Sequence, residues 1–273
     1  MNRRAISAVI RKDLLGVVRS RGVMIPMIIV PLIFFVVLPL LTSLAPNMIN
    51  LPGNSFQEFS EFVEQMPEGL KQTLQPYNEQ QTILVLMLVY MFAPFFLIVP
   101  LMVSSVIAAD SFAGEKDRKT IEALLYTPLT DRELYFSKIL SAWIPALLVS
   151  LVGFVIYALS ANLAGWRVMG EIFFPNWMWV VLVIWVAPAA AGLGLSSMVL
   201  VSSRVQGFQE ANQIGGVVVL PILLLVIAQA VGVMYFSLGL VLLVGLVLWA
   251  VDGLLFWLGA KTFQRERMIT GKL

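Results

Sequence analysis

The sequence predicts an all-α integral membrane fold of six transmembrane helices with both termini on the cytoplasmic side. Three observations predict it. The 273 residues are 59% hydrophobic and only 12% charged, against about 25% charged in soluble domains. Six apolar runs are each long enough to cross a bilayer, which takes roughly 20 helical residues. The charges between those runs are distributed very unevenly by sign. A single transmembrane domain is expected over 1–273. Helices rather than barrel strands are expected, because the runs are uniformly apolar and lipid satisfies no open backbone group.

The runs lie at about Val23–Leu44, Thr82–Ala108, Ile139–Leu163, Trp177–Val201, Gln213–Val233 and Leu238–Ala260. With a cytoplasmic N-terminus and six alternating spans, 16 of the 18 Lys and Arg residues fall inside and only Lys71 and Arg167 outside. That asymmetry predicts N-in, C-in topology. The chain has no cysteine and no histidine. Disulfides, thiol catalysis, Cys or His metal sites and His-based triads are therefore excluded.

Residues 1–22 carry six cations and no compact apolar core, so they do not read as a cleavable signal peptide. Ile6, Val9, Ile10, Leu14 and Val17 recur at helical spacing opposite Arg4, Arg11, Lys12 and Arg19. The pattern predicts an interfacial helix before the first span. The outer loop, 45–81, places Phe56, Phe59, Phe62, Val63, Met66 and Leu70 near helical spacing, interrupted by Pro67. One or two short helices are expected there. They could cap a pathway or rest on the membrane surface, and the sequence supports both.

The spans contain Pro26, Pro31, Pro39, Pro94, Pro100, Pro145, Pro188 and Pro221, each a candidate kink. The fourth span holds three small-xxx-small pairs, Ala187/Ala191, Ala190/Gly194 and Gly192/Ser196. They predict close helix approach, within the chain or across a dimer. The tryptophans (143, 166, 177, 179, 185, 249 and 257) suit lipid-facing and interfacial positions. Asp252 is the only acid well inside a span, with Gln229 a weaker polar case. Together they form a candidate intramembrane polar site: a proton or cation role, or a buried hydrogen-bonded contact.

The most concentrated polar chemistry is the island Asp110–Lys138, which holds 11 of the 34 charged residues. The second span is expected to leave the membrane near Phe112, with Gly114 permitting a bend. Glu115, Lys116, Asp117, Arg118 and Lys119 form a mixed-sign cluster. Residues 120–125 can make a short helix with an apolar patch of Ile121, Leu124 and Leu125, which Pro128 ends. Thr130 and Glu133 fit a capping box that starts the next helix. The result is a helix–break–helix elbow over 109–138.

The stretch Glu115-Lys-Asp-Arg-Lys-Thr-Ile-Glu122-Ala-Leu-Leu-Tyr-Thr-Pro128-Leu129 resembles the signature that follows the second span in ABC-2 type permeases, the membrane subunits of ATP-binding-cassette exporters. The basic first helix, six spans and basic tail are similar to that family across nearly the whole chain. The resemblance implies that the elbow docks on a separate ATPase and couples it to the spans. Ile121, Leu124 and Leu125 would be buried in that contact. Glu115, Lys116, Arg118 and Glu122 would pair its charges, with Thr120 and Pro128 shaping the motif. It further implies two ATPase copies carrying ATP and magnesium, a second permease subunit, identical or different, and a cytoplasmic-membrane location. The chain departs from the pattern in having only about four residues between its last two spans, too few for the longer re-entrant helices of many members.

No phosphate-binding G-x-x-x-x-G-K-[ST] loop is present, so the chain is expected to bind no ATP or other cofactor itself. The basic residues follow topology rather than a nucleic-acid patch. The competing reading is an ion-gradient-driven secondary transporter or channel, for which only Asp252, Gln229 and a few serines offer intramembrane polarity. A membrane-embedded enzyme is disfavoured by the missing histidine, cysteine and paired acids. The substrate is not encoded legibly in these residues.

Overall fold

The computed structural model describes residues 3–42, 66–118, 129–202, 204–205, 207–232 and 234–262. All regular structure among them is helical. The first helix, α1, is Arg3–Arg19. Six long apolar helices follow: α2 (Arg21–Thr42), α4 (Glu79–Glu115, continuing to Asp117), α5 (Asp131–Met169), α6 (Trp177–Ser202), α7 (Phe208–Ala230) and α8 (Leu238–Thr262). The short α3, Glu68–Leu74, precedes α4. The six spans match the six apolar runs to within a few residues, except where α4 and α5 extend beyond the lipid-length segment into the charged island.

The core is the pair α4 and α6. Both are buried over most of their surface, whereas α2, α7 and α8 turn most of theirs outward. Helix α4 is flanked by α2, α5, α6 and α7, and α8 packs on the outer side of α6. A helix apolar all round is covered either by protein or by lipid, and the neighbours of α4 place it in protein. Leu84, Leu88, Leu97, Val99 and Leu101 of α4 are accordingly inaccessible. The small residues of the fourth span serve this packing inside the chain: Ala187, Ala190 and Ala191 are all fully buried.

Three of the prolines shape their helices in one recurring way. Proline clashes with the carbonyl four residues before it, which for Pro39, Pro94 and Pro188 belongs to Phe35, Tyr90 and Ile184. Each of those residues lies in a π-helical turn: Ile33–Val37, Leu86–Met91 and Leu182–Val186. The wider turn accommodates the ring without breaking the helix. Carbonyls loosened in and beside these turns are then capped by aromatic donors. Tyr157 donates its hydroxyl to the Leu88 carbonyl at 2.5 Å, and the Trp179 indole donates to Val89 at 2.7 Å. Trp249 and Trp143 donate to the carbonyls of Trp185 and Pro188 at 3.1 and 3.0 Å. Such substitutes are required where no water is available.

Trp179 departs from the lipid-facing and interfacial positions expected of the tryptophans. Trp179 is completely buried, stacked on Tyr157 at 4.8 Å between ring centres. Trp166, Trp177 and Trp257 do remain exposed. Gly114 departs from its expected role too. It lies within α4, which continues as α-helix to Asp117, and its missing side chain leaves room for a neighbouring ion pair.

Asn162 fixes the turn between α5 and α6. Its Nδ2 donates to the Phe174 carbonyl at 2.7 Å, and its Oδ1 accepts from the amides of Phe173 and Phe174. Helix α5 ends on Gly170 at φ +69°, the left-handed conformation that glycine adopts without a Cβ penalty. Of the expected outer-loop helices, the stretch before Met66 lies outside the described residues. The remainder is α3, which starts directly after Pro67 and buries Leu70 and Leu74.

Candidate functional site

The island's two flanks come together where α4 ends and α5 begins. Thr130 and Glu133 form the expected capping box: the Glu133 amide donates to the Thr130 hydroxyl oxygen at 3.3 Å, and the Thr130 amide to Glu133 Oε2 at 3.0 Å. This cap fixes the start of α5 and so the direction in which Lys138, two turns on, projects.

Lys138 points into the protein and is 0% exposed. Its ammonium donates to Glu115 Oε2 at 2.7 Å, to Ser111 Oγ at 3.1 Å and to the Ser111 carbonyl. It sits 5.2 Å from the centre of the Phe112 ring and 3.9 Å from Asp13 Oδ2. Helix α1 supplies the rest. Val9, Asp13 and Val17 lie one turn apart on its buried face. Asp13 Oδ2 accepts from Ser111 at 2.9 Å and has Ser141 Oγ at 3.2 Å. Lys12 reaches Glu115 Oε1 by a direct hydrogen bond and Asp13 Oδ1 at 3.1 Å.

Two cations and two anions thus close a neutral cluster that ties α1, α4 and α5 together. Burial alone would lower the Lys12 ammonium, but the charges of Asp13 and Glu115 outweigh it and raise Lys12 above its ordinary value. Beside the cluster, Val9 packs with Leu129 and Leu134. Within the apolar stripe of α1, Val9 and Val17 therefore rest on protein. Leu15 and Val18 stay outward.

A second pair stiffens the end of α4. Arg118 Nη1 donates to Asp110 Oδ1 at 2.9 Å, and Nη2 to the Asp110 carbonyl at 3.2 Å. A Cβ on Gly114 would stand 3.0 Å from Asp110 Oδ1 and 3.2 Å from Arg118 Nη2. The guanidinium crosses through that space.

Of the residues the sequence singled out for coupling, Glu115 and Arg118 are thus engaged within the chain, Glu115 at 3% exposure. The side chain of Lys116, and Thr120, Ile121, Glu122, Leu124, Leu125 and Pro128, lie outside the described residues. Sequence reasoning missed Asp13, Ser111 and Ser141 and read Lys138 only as a topogenic cation. One signal was available: Asp13 is the only acid before Glu58, set among the five cations of α1.

Asp252 and Gln229 are not brought together. Asp252 is buried against α6, where a Cβ on Gly192 would come within 2.2 Å of Oδ2. The Ser196 hydroxyl is committed to the Leu193 carbonyl at 3.3 Å, and among the described residues neither carboxyl oxygen of Asp252 has a hydrogen-bond partner. Gln229 lies toward the opposite end of the bundle, in a small cavity of about 40 Å³ with Leu70, Tyr90 and Tyr235.

No curated protein and no solved structure matches the chain. The family model described as ABC-2 family transporter protein matches residues 7–251, a stretch that runs from α1 through the ion cluster and all but the last turns of α8. The six helices long and apolar enough to cross a membrane agree with that match, and the chain belongs to the ABC-2 family of transporter proteins.

Proposed function

We propose that this chain is the permease subunit of an ABC exporter, driven by ATP that a separate ATPase hydrolyses. The observation that carries the reading is the family match over residues 7–251. The geometry beneath the elbow supports it. An ATPase that closes on nucleotide moves membrane helices only through a stiff contact. Both limbs of the elbow are helical and clamped, α4 by Arg118–Asp110 and α4 to α5 by Glu115–Lys138. A push on the elbow would therefore move α4, the centre of the bundle, as a rigid rod.

In this reading residues 109–138 and both termini face the cytoplasm, which the 16:2 division of Lys and Arg supports. The chain binds no nucleotide, two ATPase copies carry ATP and magnesium, and a second permease subunit completes the pathway. Ile121, Leu124 and Leu125 bury against the ATPase, while Lys116 and Glu122 set register.

The test is the triple substitution Glu122→Ala, Leu124→Ala and Leu125→Ala, assayed with the ATPase that co-purifies. The expected result is loss of substrate-stimulated ATP hydrolysis with normal membrane insertion. Unchanged stimulation would remove the coupling role from these residues. It would also count against the proposed orientation, because an elbow on the far side cannot reach an ATPase.

The buried, unpartnered Asp252 carboxyl favours a second reading, a carrier driven by an ion gradient. The two separate on Asp252→Asn. The ATP-driven reading expects transport within about twofold of the parent, since the amide fills the same space and a charge there is costly. A gradient-driven carrier would lose ion coupling altogether, read as transport that no longer responds to the imposed gradient.

A further inference from the structure

Between the start of α5 and the end of α8 lies an open groove of about 430 Å³. Its walls carry Tyr135, Phe136 and Trp257, its charged groups are Arg132 and Lys261, and Asp131 stands at the rim. We infer that this groove binds the phosphodiester headgroup of an anionic phospholipid.

Position comes first. Arg132 lies in the first turn of α5 and Lys261 in the last turn of α8. Lys261 directly follows the apolar run of α8, and Arg132 lies seven residues, about 10 Å, before that of α5, so the groove between them borders the headgroup layer. The groove opens sideways as well, for Phe136 is 61% and Trp257 60% exposed. In a bundle whose outer surface faces lipid, an acyl chain can lie along those rings while its headgroup occupies the groove.

The charges point the same way. Arg132 and Lys261 form no ion pair among the described residues. Lys261 is instead held 5.3 Å from the centre of the Trp257 ring, a contact that leaves its N–H donors free for an anion. Arg132 offers the planar fork that fits two oxygens of a phosphate. With Asp131 the lining carries a net charge of +1, the complement of a monoanionic phosphodiester. The Tyr135 hydroxyl is already committed to the Phe256 carbonyl at 3.3 Å, a bond that ties α5 to α8 and holds the groove's width. Basic recesses between membrane helices are a recognised setting for acidic headgroups.

The experiment is lipid retention by the full chain, purified with any ATPase that accompanies it and read by native mass spectrometry. Preparations are equilibrated with phosphatidylglycerol, with phosphatidylcholine, or with inorganic phosphate as the free-anion arm. The expected result is one phosphatidylglycerol held per chain at least about tenfold more persistently than phosphatidylcholine. That preference is expected to vanish in R132A/K261A and to survive in the charge-conserving R132K/K261R. Equal retention of both lipids, an undiminished preference in R132A/K261A, or displacement of the lipid by millimolar phosphate would each overturn the inference. The alanine variant must elute as the parent does on size exclusion, and R132Q/K261Q, which removes both charges at similar side-chain length, carries the charge test if it does not. Retention involves no ATP, so this result stands or falls apart from the exporter reading.

Discussion

Replacing Lys138 with methionine is expected to destabilise the protein by about 3–5 kcal/mol, the usual cost of removing one partner from a buried ion pair. The physical reason is what remains. Without the ammonium, Glu115 and Asp13 stay buried with Lys12 as the remaining cation of the cluster among the described residues, and Ser111 loses the donor to its carbonyl. Two anions facing one cation in a poorly solvated site is the arrangement folding avoids most strongly. Removing both charges of the closest pair restores the balance. In K138M/E115M the Lys12–Asp13 pair persists as a neutral unit, so the double variant is expected to be more stable than K138M alone. K138R preserves charge but must fit a planar fork into a fully enclosed space, and it should fall between parent and K138M. Thermal unfolding in detergent, followed by the loss of the monodisperse size-exclusion peak, measures all three. A K138M midpoint equal to the parent's, or a double variant no better than K138M, would show that the cluster does not hold α1, α4 and α5 together.

The cluster also explains which parts of the molecule the sequence discloses. The spans were legible because a run of some 20 apolar residues has one solution in lipid, and their ends agree with α2, α6 and α8 to within a few positions. The Thr130–Glu133 cap was legible because its partners are three residues apart. The ion cluster was not: Lys12 and Glu115 are separated by 103 positions, and Ser141 and Asp13 by 128. Pairing across such distances is fixed by how three helices converge, which no local pattern encodes. The prolines lie between these cases. Their positions in the spans were plain, but whether each kinks its helix or is absorbed by a π turn depends on side chains from other helices, such as Trp179 and Tyr157. Gly114 misleads for the same reason. Read alone it suggests a bend, whereas between Asp110 and Arg118 it is a space.

The second large effect is expected at Gly194, where α6 meets α4. A Cβ there would lie 2.3 Å from the backbone oxygen of Leu101 and 2.6 Å from Ser104 Oγ. The serine can rotate, but the carbonyl belongs to the most enclosed helix of the bundle and cannot withdraw without shifting α4. Even one methyl group must therefore separate the two helices. Gly194→Ala is expected to cost about 1–3 kcal/mol, the range for overpacking a close-packed interior, and Gly194→Leu should prevent recovery of a monodisperse protein. Because α4 is also the rod that the elbow is proposed to drive, the alanine variant should lose transport more than its stability loss accounts for. Gly253 supplies the control. It lies on α8 with nothing within 4 Å of its would-be Cβ. Gly253→Ala should be neutral or stabilising by about 0.5–1 kcal/mol, the ordinary gain from removing a helix-interior glycine. The comparison isolates helix contact from helix propensity. If Gly194→Ala melted with the parent or above it, α4 and α6 could not approach as closely as the structure places them, and the enclosed α4–α6 core would be the part of the fold to abandon.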